Sequence, residues 1–167
     1  TLFAEKTISI KYIEPEVAIA TALDCSVLRF AAGGADSWRG VLSASKVGAS
    51  SARSTLVSEM NSWIQTSVSW GGTLSFWIKG TGGTVDLQID GETVATYGLT
   101  DTWSQKTMVL SKCAHTVRWV HHSDKAAPVS AWLDGVEWNQ DAPQLQSVSI
   151  TSAADSRLKT GEATTLY

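Results

Sequence analysis

Residues 73–95, TLSFWIKGTGGTVDLQIDGETVA, decide the fold. Leu74, Phe76 and Ile78 alternate with Thr73, Ser75, Trp77 and Lys79. After GTGGT, Val85, Leu87 and Ile89 alternate with Thr84, Asp86, Gln88 and Asp90. A period of two describes β-strands with one buried and one solvated face. Gly80, Gly82 and Gly83 accept positive φ, so the two runs are expected to pair as a hairpin around them. Trp77 breaks the pattern, because it is a large aromatic on the face that otherwise carries Ser, Lys, Asp and Gln.

The same period recurs on both sides of this stretch. Upstream, TISIKY (7–12) and SVLRFA (26–31) read as short strands, with Pro15 interrupting pairing between them. Residues 38–58 read as two short strands around a loop at Val47–Ser50. In 62–70, SWIQTSVSW, Ile64, Thr66, Val68 and Trp70 share one face, and Trp63, Gln65, Ser67 and Ser69 share the other. Downstream, QKTMVL after Trp103, HTVRWVHH (115–122) and SAWLDGVEW (130–138) are strands, with Gly135 marking a bulge in the last. No segment carries apolar residues at helical spacing over enough length for a substantial helix. The fold class is therefore all-β, a two-sheet antiparallel jelly-roll β-sandwich.

Composition narrows the function classes. With 167 residues, 43% of them hydrophobic, the chain can bury a real core. The net charge of −3 and the lack of a basic patch argue against nucleic acid as a partner. No apolar run is long enough for a membrane span, so membrane insertion is not expected. Eight Trp against three Tyr and three Phe is the most informative excess, since a flat indole is a platform for the C–H face of a sugar ring. The two cysteines, Cys25 and Cys113, lack zinc-ligand spacing. They are either a disulfide, worth about 4–5 kcal/mol on the loop-entropy model, or two buried free thiols.

Two resemblances add to this reading. The phrases SARS, GTLSFWIK, HTVRW and WLDGVEW lie within roughly 21–138. That region resembles a jelly-roll module of large secreted bacterial proteins, distantly similar to concanavalin-like and MAM-like β-sandwiches. Such modules serve in carbohydrate binding and in adhesion, so the resemblance implies a fold more than a function. After the Pro143 linker, SVSITSAADSRLKTGEATTL resembles the opening strands of bacterial immunoglobulin-like repeats. The expected organisation is a strand and linker from a preceding region at 1–21, a sandwich over 22–140, and a linker with the start of a truncated Ig-like module at 141–167. The resemblance implies a secreted or cell-surface multimodular parent, with other modules of the same chain as partners. Jelly rolls of this type often hold a structural Ca²⁺ in their loops, for which Asp24, Asp36 and Asp134 are the candidates.

Catalysis is not expected. Asp86 and Asp90 project from one strand face rather than from facing strands. No GxSxG elbow occurs, and His121 and His122, being adjacent, point to opposite faces. Among the tryptophans, Trp119 and Trp138 are in phase with core residues, and Trp38 and Trp63 are expected to plug the sandwich ends. Trp77, Trp132 and Trp70 fall on polar phases or beside a Gly pair. The expected site is one polar face carrying Trp77, Asp86, Gln88, Arg118 and His122, bordered by Trp70 and Trp132. It would bind a plant or other polysaccharide without transforming it and target a secreted enzyme to its substrate. The alternative is an adhesion or spacer module with protein partners.

Overall fold

The computed structural model describes residues 14–57 and 60–142. The expected Ig-like start lies almost wholly outside the described residues, as does the TISIKY strand.

Among the described residues, eleven strands form two antiparallel sheets, with one helical turn beside them. In chain order they are β1 (Glu16–Val17), α1 (Ile19–Ala22), β2 (Phe30–Gly34), β3 (Arg39–Val41), β4 (Ser51–Leu56) and β5 (Met60–Val68). There follow β6 (Gly72–Gly80), β7 (Thr84–Ile89), β8 (Glu92–Gly98), β9 (Ser104–Leu110), β10 (His115–Ser123) and β11 (Val129–Gln140). One sheet has the order β1-β3-β4-β11-β6-β9 and the other β2-β5-β10-β7-β8. The expected antiparallel sandwich is thus the observed fold. It takes in β1, which pairs with β3, so the unit starts earlier than residue 22.

The hairpin expected around Gly80–Gly83 does not form. β6 lies in the six-stranded sheet and β7 in the five-stranded one, and the glycine-rich link crosses between them. Alternation fixes which face of each strand is apolar, but two apolar faces can meet by stacking as well as by lying side by side. Here Leu74, Phe76 and Ile78 face Val85 and Leu87 across the core. The crossing is tight: Gly83 has φ +80°, and a Cβ there would overlap the carbonyl oxygen of His122. The hairpin in this stretch comes later, between β7 and β8, at Asp90 (φ 54°) and Gly91 (φ 91°). Asp-Gly with both residues left-handed suits the twist of paired strands.

The core fills the space between the sheets. Trp119 is fully buried, with Phe76 5.4 Å away and edge-on to it. Trp38 is also buried, while Trp138 is only partly so, against the core's margin. The ladder of β11 shifts between Asp134 and Glu137, where Gly135 has φ +51°, as expected of a bulge. Cys25 is buried and Cys113 exposed, and both are free, so neither of the two arrangements expected for the cysteines holds. β1 runs antiparallel to β11 within one sheet, by way of β3 and β4.

Candidate functional site

The solvent face of the five-stranded sheet gathers most of the polar residues singled out by strand phase. Across it, Gly33, Trp63, Val120, Asp86 and Thr96 form one row by register. Ala31, Gln65, Arg118, Gln88 and Thr93 form the next, and Asn61, His122 and Thr84 a third. Neighbouring strands stand about 4.8 Å apart, so Trp63 and Asp86, two strands apart, are separated by about 10 Å.

Local contacts hold these side chains in place. The Trp63 indole lies across Gly33, which has no Cβ to obstruct it. The Arg118 guanidinium stands 4.7 Å from the Trp63 ring centroid. It donates through Nε (2.9 Å) and Nη2 (2.5 Å) to Gln65 Oε1. Asp86 accepts from Thr96 Oγ1 at 2.6 Å, and His122 Nε2 lies 3.3 Å from its other oxygen. Gln88 Nε2 reaches Thr93 Oγ1 at 3.4 Å. Two clefts border the face. One, of about 530 Å³, is lined by Met60, Asn61, Thr84, His122, Asp124 and Lys125. The other, of about 420 Å³, is lined by Val27, Arg29, Phe30, Ala31, Gln65 and Ser67. Between them lies an aromatic plate ringed by donors and acceptors.

The single site expected from sequence is divided. Asp86, Gln88, Arg118 and His122 are together as expected. Trp77 and Trp132 are not with them, because β6 and β11 belong to the other sheet and present both rings on the opposite side of the sandwich. Trp70 sits in the link from β5 to β6, on neither face. On the opposite side every indole has an ammonium nearby. Lys79 Nζ stands 5.4 Å from the Trp103 centroid and 5.1 Å from that of Trp132, and Lys46 Nζ 4.6 Å from that of Trp77. Trp63, expected at a sandwich end, instead supplies the aromatic beside Arg118. Its polar phase, shared with Gln65 and Ser67, was the signal that pointed there.

The three expected Ca²⁺ ligands do not form one set. Asp36 is engaged by Thr55 N–H at 3.0 Å and by Arg39 at 3.6 Å. Asp134 is fully buried and accepts from three backbone amides: Lys46 (2.5 Å), Val47 (3.0 Å) and Gly135 (2.6 Å). Asp24 is next to Asp134, and burial together with that like charge raises its pKa. Among the described residues no group of three or more His, Cys, Asp or Glu is arranged to hold a metal.

A two-sheet antiparallel sandwich with an open polar sheet face is an architecture shared by binding modules of several kinds. No family model and no curated protein matches the chain. Among solved structures it resembles TmCBM61 in complex with β-1,4-galactotriose, with TM-score 0.58 and 12% identity over 74% of this chain and 94% of that one. It also resembles the K1 cleaved adhesin domain of Lys-gingipain from Porphyromonas gingivalis W83, with TM-score 0.59 and 15% identity over 77% and 95%. A third similar structure, described as showing the promiscuous specificity of carbohydrate-binding modules from the β-sandwich superfamily, gives TM-score 0.50 and 15% identity over 66% and 57%. At these identities the likeness concerns the fold. No helix among the described residues is long and apolar enough to cross a membrane.

Proposed function

We propose that the chain is a non-catalytic carbohydrate-binding module whose glycan lies on the solvent face of the five-stranded sheet. The observation that carries this reading is Trp63 beside Arg118 and Gln65, in one face with Asp86 and His122 and between two clefts. A sugar ring needs an apolar plate for its C–H face and fixed donors and acceptors for its hydroxyls. Trp63 supplies the plate; Arg118 and Gln65 supply donors, Asp86 and Gln88 acceptors. Similarity to a fold solved with an oligosaccharide supports the same reading. The ligand class is a polysaccharide, and the module holds a secreted or cell-surface multimodular protein, such as a polysaccharide-degrading enzyme, on its substrate.

The second reading is an adhesion module with a protein partner. It is favoured by the opposite face, where Lys46 and Lys79 stand over Trp77, Trp103 and Trp132 as a charged and aromatic surface.

Affinity electrophoresis in gels containing soluble plant polysaccharides separates the two. The wild-type chain is retarded. Trp63→Ala loses about 2 kcal/mol or more, roughly 30-fold in Kd, while Trp77→Ala migrates like the wild type. Equal retardation of wild type and Trp63→Ala would remove the glycan from this face, and retardation lost only in Trp77→Ala would move it to the other.

A further inference from the structure

The link from β9 to β10 and the turn from β7 to β8 meet at one end of the sandwich, and their side chains form an ordered chain of contacts. Cys113 Sγ lies 3.1 Å from His115 Nε2, and Ser111 Oγ lies 2.9 Å from the same nitrogen. His115 Nδ1 lies 2.7 Å from Asp90 Oδ2. Asp90 Oδ1 accepts from Thr116 N–H at 2.8 Å, so the carboxylate is clamped from two sides. The left-handed backbone of Asp90 in the Asp-Gly turn aims it there.

The closest of these contacts favour one assignment of roles. The carboxylate can only accept, so Nδ1 carries the imidazole proton; in that tautomer Nε2 presents its lone pair to Cys113 Sγ and Ser111 Oγ, which are closer to it than the Ser111 carbonyl at 3.3 Å. The pKa of Asp90 is lowered, first by the His115 bond and then by the Thr116 amide, which keeps it an acceptor. A nucleophile within reach of a base that is itself oriented by a third group is the arrangement of an activated thiol. The thiol is exposed, and Cys25, the chain's other cysteine, is buried, so Cys113 has no partner within the chain.

We propose that Cys113 is a reactive thiol that undergoes exchange with low-molecular-weight aliphatic disulfides, with His115 as its base and Asp90 as the residue that positions His115. The sulfur of Cys113 attacks one sulfur of R–S–S–R while its proton passes to His115 Nε2. The Cys113–S–S–R bond forms as the S–S bond of the reagent breaks, and the leaving thiolate takes the proton from His115 and departs as R–SH. Cys113 is oxidised and the leaving sulfur reduced, with no other oxidant. Exchange at sulfur fits this site better than acyl transfer. Acyl transfer develops an oxyanion and calls for amide donors around the nucleophile. The amide of Cys113 already donates to Ser111 O at 2.8 Å.

The test is incubation of chelator-treated protein with glutathione disulfide at neutral pH, followed over time by intact mass and peptide mapping. The expected product is one glutathione per chain, on Cys113, with Cys25 unmodified. His115→Ala is expected to slow the reaction at least about 10-fold, less than the full contribution of a general base, and added imidazole to restore part of the rate. Asp90→Asn keeps a residue type that tolerates positive φ and is expected to slow it as well, since an amide offers its N–H as readily as its oxygen and frees the imidazole to adopt the other tautomer. Far-UV spectra check that each variant is folded. Wild-type rates in both His115→Ala and Asp90→Asn, no response to imidazole, or an adduct on Cys25 would overturn the proposal.

Discussion

Acidification should destabilise this sandwich through one residue, His121. Its side chain is fully buried, with Nδ1 3.1 Å from Ser54 Oγ and the ring 6.3 Å from Trp38. Burial is the chief cause that pushes its pKa from 6.5 down to about 4, outweighing a backbone contact with Gly82 that acts the other way; the neighbouring His122 adds to the fall. The folded state therefore keeps the ring neutral where the unfolded chain would protonate it. The sign follows: stability is complete above about pH 6.5, falls as pH drops toward about 4, and levels off below. At about pH 5 the loss is RT ln[(1+10^1.5)/(1+10^−1)], about 2 kcal/mol, out of about 3 kcal/mol for the whole shift. For a domain of this size that lowers Tm by about 4–8 °C. Urea unfolding of the wild type at about pH 7.5 and about pH 5 measures the difference, and His121→Asn, which cannot charge, should lose about 2 kcal/mol of it. A wild type equally stable at the two pH values, or a His121→Asn variant with the wild-type difference, would falsify the argument.

Two further perturbations probe other parts of the fold. Gly83→Ala should cost about 2–3 kcal/mol in urea unfolding, because φ +80° is left-handed and the added Cβ meets the His122 carbonyl; a change within about 0.5 kcal/mol would show that the crossing relaxes freely. Asp24→Asn should raise the thermal midpoint at neutral pH, since it removes a like charge beside Asp134 and suits φ 52°. A fall in midpoint, reproduced in the wild type by EDTA, would instead show that both carboxylates serve a cation.

The strands were legible in the sequence because a period of two is local. Leu74, Phe76 and Ile78 announce a buried face whatever they pack on. Pairing is not local, and this is where the reading of 73–95 went astray. A glycine-rich turn serves a hairpin and a crossing between sheets equally well, and Gly82–Gly83 suits a two-residue hairpin as Asp90–Gly91 does, so residue type alone does not tell which of the two turns closes one. Moving β6 to the other sheet carried Trp77 away from Asp86, Gln88, Arg118 and His122, although each of these strands was assigned the correct solvent face. Trp63 was placed on the polar phase of its strand yet expected at a sandwich end, because nothing in its own segment shows that Gly33 lies beneath it. The contact of His115 with Asp90 joins the first residue of β10 to the turn between β7 and β8, so no spacing rule could announce it.

The unequal hold on the first and last strands bears on how the unit behaves under tension. β1 is paired on one side only, with β3 and over two residues, whereas β11 is paired on both sides, with β4 and β6. A pull along the chain therefore spares β11 at first. It peels the two-residue β1 away from β3 first, at the cost of little more than one pair of ladder bonds, while β11 remains gripped between β4 and β6.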